Sequence, residues 1–108
     1  MMFLIRMATQ LPGDWPPEKT AELRARELEL GIRYMEQGLL RRVFRTIGED
    51  GNASLWEAES LESLHDALRA LPKFPWARIV VTPLVEHPIE REVRARHGSL
   101  PSFRGAAS

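Results

Sequence analysis

The sequence predicts an α+β domain with the ferredoxin-like order βαββαβ. Three observations carry that expectation. Residues 18–37 repeat apolar side chains at helical spacing and stop at Gly38. Four segments rich in β-branched and apolar residues lie at 2–9, 39–47, 52–58 and 76–85. The middle two are separated by Gly48-Glu49-Asp50-Gly51, which reads as a hairpin loop. With a second helix between the third and fourth strands, the order is that of the split βαβ unit.

The elements follow in turn. The first strand, MFLIRMAT, is bounded by Leu11-Pro12-Gly13. Asp14, Pro16 and Pro17 announce the first helix, since proline suits a first turn. Ser60 is a natural N-cap for a helix over 61–71, and Pro72 and Pro75 break the chain after it. Pro83, near the end of the fourth strand, fits an edge or a bulge. Residues 1–88 then form the domain. Residues 89–108, with four arginines, Gly98, Pro101 and a small-residue end, form a C-terminal tail, either disordered or an arm over a neighbouring subunit. Two helices cover one face of a four-stranded sheet. The other face would expose apolar residues such as Val43, Phe44, Leu55 or Trp56, and a homodimer with two sheets face to face, a dimeric α/β barrel, is expected.

Composition narrows the function. The chain has 108 residues, 15 basic and 15 acidic, so neither a nucleic-acid surface nor a polybasic membrane patch is indicated. It has no cysteine, which removes disulfides, thiolate metal sites and cysteine nucleophiles. The apolar run at the N-terminus is short and interrupted by Arg6, and no stretch approaches the roughly 20 apolar residues of a membrane span. A cytoplasmic protein without metal or cofactor, acting on a small molecule, is expected. No HExxH, carboxylate–histidine cluster or glycine-rich phosphate loop is present.

Two charges stand out in the first helix. At about 100° per residue, Glu27 falls between Tyr34 and Gly31, and Arg24 between Gly31 and Met35, inside the apolar arc. A buried carboxylate or guanidinium is costly unless paired or used, so this face suggests a lined pocket. Glu27 is either an ion-pair partner of Arg24 or a strand-two arginine, or a general base whose pKa is raised by an apolar surrounding. An arginine beside it would hold a substrate carboxylate and steady an enolate. Strict alternation along the second strand puts Leu39, Arg41, Val43, Arg45 and Ile47 on one face and Leu40, Arg42, Phe44 and Thr46 on the other. Arg41 and Arg45 then form either an anion clamp or ion pairs at a subunit contact. Asn52 and Ser54 share a face of the third strand, as substrate hydrogen bonders or as residues satisfying the turn. His65 lies with Leu61, Leu64 and Leu68 on the expected inner stripe of the second helix, as a core residue or a site residue. Trp15, Trp56 and Trp76 read as packing.

These residues carry a family likeness. Phe3-Leu4-Ile5-Arg6-Met7, Leu11-Pro12-x-Asp14, the LRARELE stretch at 23–29, Gly38, Arg41-x-x-x-Arg45, Gly48, Asn52-x-Ser54, Leu64-His65-Asp66-Ala67-Leu68, Leu71-Pro72-x-Phe74-Pro75 and His87-Pro88 together resemble the muconolactone Δ-isomerases over about residues 2–90. The resemblance implies a ferredoxin-like fold, barrel-forming dimers, often assembled as decamers, and a cofactor-free isomerisation of muconolactone to an enol-lactone in bacterial aromatic catabolism, the β-ketoadipate pathway. It assigns Glu27 as the base that removes and returns the proton. Arg24 stands where the family tends to carry lysine, and Arg41 or Arg45 would hold the substrate carboxylate. The chain departs from the family at Leu40, Arg42 and Phe44, where two tryptophans and a histidine are typical, at Ala53, and at Trp76. Leu40, Phe44 and Ala53 would enlarge the cavity, which keeps open a bulkier substrate for an isomerase or cyclase of biosynthesis. A non-catalytic binding dimer is the third reading; it requires Glu27 to be salt-bridged with no cavity beside it.

Overall fold

The computed structural model describes residues 1–101. Four antiparallel strands, β1 (Met2–Thr9), β2 (Leu40–Arg45), β3 (Gly51–Glu57) and β4 (Ala77–Leu84), form one sheet in the order β2-β3-β1-β4. Helices α1 (Pro17–Glu36) and α2 (Leu61–Arg69) connect them. The expected βαββαβ order is therefore present, with a third helix, α3 (Pro88–His97), following it.

Local chemistry explains the boundaries. Pro17 opens α1 without a side-chain cap, so Asp14 does not cap it. At its other end Gly38, at φ +79°, closes a Schellman motif. There the Gly38 N–H donates to the Met35 carbonyl and the Leu39 N–H to the Tyr34 carbonyl. Ser60 caps α2 and exchanges hydrogen bonds with Ser63. Pro83 lies in β4, an edge strand, where a missing N–H does least harm.

The core lies between one sheet face and the two helices. Phe3, Ile5 and Met7 of β1, Trp56 of β3 and Leu40 of β2 meet Tyr34 of α1 and Leu64 and Leu68 of α2. The Tyr34 hydroxyl donates to the Ala67 carbonyl at 2.8 Å and ties the helices together. Trp15 and Trp76 meet edge to face with centroids 4.7 Å apart, as packing residues.

Gly51, expected in the hairpin loop, begins β3 opposite Ala8. A Cβ there would stand 2.2 Å from the Met7 carbonyl oxygen, a backbone atom that cannot swing away. Gly51→Ala is expected to destabilise the domain by about 1–3 kcal/mol, the usual cost of overpacking, measurable by urea denaturation.

Three expectations need correction. A β-bulge between Leu40 and Arg42 breaks the strict alternation of the second strand. Leu40 now sits opposite Trp56, Val43 opposite Ser54 and Arg45 opposite Asn52, so all three lie on the helix-covered face. Second, Val43 and Trp56 do not belong to the bare face, and Trp56 is buried in the core. That face instead carries Leu4, Arg6, Arg42, Phe44, Ala53, Leu55 and Val80, with Phe44 and Val80 exposed. Third, residues 88–97 are helical, so a disordered tail does not hold there. His87 caps α3 through Nδ1, and none of its residues is buried. The rest of the expected tail after Pro101 lies outside the described residues.

Candidate active site

The bulge and the helix packing open a cavity of about 290 Å³ between α1 and the β2–β3 end of the sheet. Met7, Leu40, Val43, Trp56 and Leu71 supply apolar wall, and Leu28, Gly31, Ile32 and Met35 of α1 form the remainder. Leu28, Ile32 and Met35 are partly open to solvent and mark the mouth. Gly31, one turn after Glu27, has nothing within 4 Å of where a Cβ would be, which leaves space beside the carboxyl group. Three polar residues line the cavity: Glu27, Asn52 and Ser54.

Glu27 is half-buried on α1. Its Oε1 accepts a hydrogen bond of 2.9 Å from the backbone N–H of Lys73, 46 residues along the chain. Burial raises its pKa above the ordinary 4.5; the Lys73 N–H and the Lys73 charge pull it back. A carboxylate in a mostly apolar cavity, with one oxygen held, is suited to taking and returning a proton.

Ser54 is committed to the protein. Its hydroxyl donates to the Ile5 carbonyl at 3.3 Å and accepts from Trp56 Nε1 at 2.7 Å. It therefore holds the indole that forms one wall. Asn52 faces the cavity across from Arg45 and offers an amide.

The other expected site residues do not line the cavity. Arg24 is exposed and lies 3.7 Å from Asp50 of the hairpin. Its side chain is absent from the cavity lining. Arg41 is exposed at the bulge. Arg45 is exposed on β2, on the same face as Asn52. His65 is exposed and meets Phe74 edge to face; Leu61 is exposed too, and Leu64 and Leu68 alone form the inner stripe of α2. Nothing in the sequence marks Lys73, because it contributes through a backbone N–H that every residue but proline has.

The ion pair expected in the non-catalytic reading is absent from Glu27, and a cavity stands beside it. Phe44 and Ala53 face the bare side of the sheet and do not enlarge that cavity. Among the described residues no group of three or more His, Cys, Asp or Glu is arranged to hold a metal, and no helix is long and apolar enough to cross a membrane.

Comparison with known proteins bears on the same residues. A family model described as muconolactone delta-isomerase matches residues 1–90. The chain belongs to the muconolactone delta-isomerase family. Muconolactone Delta-isomerase of Cupriavidus pinatubonensis is 36% identical over 88 residues, which cover 82% of this chain and 96% of the relative. That of Pseudomonas aeruginosa is 38% identical over 88 residues, covering 82% and 92%. A crystal structure of muconolactone isomerase superposes with a TM-score of 0.77 at 40% identity, covering 82% of this chain and 92% of the other. A 5-chloro-2-hydroxyhydroquinone dehydrochlorinase from Burkholderia phenoliruptrix shares the fold, with a TM-score of 0.59 at 19% identity over 82% of this chain and 98% of its own.

Proposed function

We propose that this member of the muconolactone delta-isomerase family shifts a C=C bond in a small unsaturated lactone of the muconolactone type, with Glu27 as the single acid–base group. The observation that carries this is a half-buried carboxylate with one oxygen held, facing a mostly apolar cavity. The step balances without a co-reactant. Glu27 takes the proton from the ring carbon that bears the ring oxygen. The electron pair spreads through the C=C bond to the lactone carbonyl as a dienolate. The same carboxyl group then returns the proton to the carbon α to that carbonyl, and the double bond ends one position along the ring.

The neighbouring residues have distinct roles. The Asn52 amide donates to the lactone carbonyl oxygen as charge collects there. Arg45, level with Asn52 on β2, meets the substrate carboxylate at the mouth; Arg24, held by Asp50, and Arg41, at the bulge, do not. Trp56, held by Ser54, keeps the ring flat against the wall. The reaction serves aromatic catabolism in the cytoplasm. The bare sheet face, with Phe44, Leu55, Leu4 and Val80, pairs with a second copy, and α3 reaches toward a neighbouring subunit.

The test is turnover of muconolactone followed by proton NMR, watching the signal of the ring C–H vanish as the new ring CH₂ appears. No turnover of muconolactone or its chloro- or methyl-substituted analogues overturns the assignment. Asn52→Ala is expected to lower kcat/KM about tenfold, the worth of one neutral hydrogen bond, in steady-state kinetics. The rate of the unaltered protein should rise with pH through the ionisation of Glu27. The midpoint should lie above the ordinary carboxylate value, since burial raises it.

A further inference from the structure

The cavity wall contains no cation among the described residues, yet the carboxylate in it has a positively charged neighbour. It comes from the turn after α2. The Phe74 N–H donates to the Leu71 carbonyl at 2.9 Å and closes a four-residue turn, Leu71-Pro72-Lys73-Phe74. Lys73, at φ −78° and ψ −8°, has the backbone of the third position of a type I turn. Pro72 presets the turn at the second position, and Leu71, buried, anchors it in the cavity wall. The Lys73 N–H is therefore aimed by rigid backbone, and it meets Glu27 Oε1 at 2.9 Å.

We propose that Lys73 is the positioning residue of this site: its backbone N–H orients the Glu27 carboxyl group, and its ammonium is the countercharge that Arg24, Arg41 and Arg45 do not provide. The proposal rests on the reading of Glu27 as the base. With Oε1 occupied by the turn, Oε2 is the oxygen left to work on both carbons of the substrate. The ammonium acts on the same carboxylate and opposes the effect of burial. It thereby keeps a larger fraction of Glu27 in the basic form.

On α1, Arg24 lies 3.7 Å from Asp50 in an exposed pair, and the Tyr34 hydroxyl donates a hydrogen bond to the Ala67 carbonyl. On β3, Asn52 and Ser54 are neutral. On β2, Arg45 is exposed level with Asn52. On α2, His65 is exposed against Phe74.

The experiment separates the charge from the hydrogen bond, since Lys73→Met keeps the backbone N–H. Full-length protein carrying ¹³C-labelled glutamate carboxyl groups is titrated by NMR without substrate, with Glu27 assigned from the spectrum of Glu27→Gln. In Lys73→Met, Glu27 should titrate at higher pH than in the unaltered protein, and Lys73→Arg should restore it. The kcat/KM profile on muconolactone should lose rate severalfold on its acidic limb only and rejoin the unaltered protein on the alkaline plateau. A Glu27 titration curve unchanged by Lys73→Met overturns the proposal. So does a rate depressed equally at every pH and not rescued by Lys73→Arg, which is the mark of a structural role. Because the titration needs no substrate, it decides the role of Lys73 independently of whether the lactone is turned over.

Discussion

Glu27→Gln is expected to slow the isomerisation about 10²–10⁴-fold, the range for loss of a general base, or about 3–5 kcal/mol of barrier. The substitution is nearly isosteric. A glutamine carbonyl can still accept from the Lys73 N–H, so the α1–turn contact survives. What disappears is the site that takes the proton, and with it the acidic limb of the pH–rate profile. Stability should move the other way. Burial raises the folded-state pKa of Glu27 above the ordinary 4.5, so the folded state holds that proton more tightly than the unfolded chain. Its contribution to stability is full below the unfolded value and is lost as pH rises through the folded value. Glu27→Gln should therefore be the more stable protein above that window, and the advantage should fade below it. Steady-state rates and denaturation midpoints across pH check both halves. A variant as fast as the unaltered protein would remove Glu27 from the chemistry.

Trp56→Ala is expected to cost about 3–5 kcal/mol of stability, the usual penalty for emptying a buried aromatic site. Against a typical domain stability of about 5–15 kcal/mol this is a large share. Trp56 is 3% exposed and stands between Phe3 of β1 and Leu40 of β2. It meets Tyr34 of α1 edge to face, with centroids 5.7 Å apart. It is also a cavity wall, so the variant should lose activity even where it remains folded. Trp56→Phe separates the two effects. It keeps an aromatic wall and removes the indole N–H donated to Ser54 Oγ, at a cost of about 1 kcal/mol. Urea denaturation of both variants, with kinetics on the folded fraction, tests this. An alanine variant within about 0.5 kcal/mol of the parent, the range of ordinary surface changes, would show that the ring does not carry the core.

Glu27 was legible because helical periodicity reports the angle a side chain takes around its axis. Arg24 falls on the same apolar arc, yet its guanidinium lies 3.7 Å from Asp50 of the hairpin. Periodicity says nothing about position along the axis relative to the sheet. Arg41 was misplaced because one bulge residue turns the strand over, and no residue type in LLRRVF announces it. His65 was misplaced because α2 buries a narrow stripe, Leu64 and Leu68, and leaves the helix flanks in solvent.

Taken alone, the amino-acid order determined the succession of strands and helices, the glycine and serine that end or begin them, and the acidic residue set among apolar ones on α1. Each of these depends on interactions within a few residues, and side-chain spacing records them. Tertiary structure decided that the acid faces a cavity, that Trp56 and no cation is part of its wall, and that Lys73 grips one of the acid's oxygens. Those outcomes join groups as much as 46 residues apart. They arise from the bulge in β2 and the docking of the α2 turn on α1, where packing in three dimensions, with no local periodicity to mark it, selects which atoms meet.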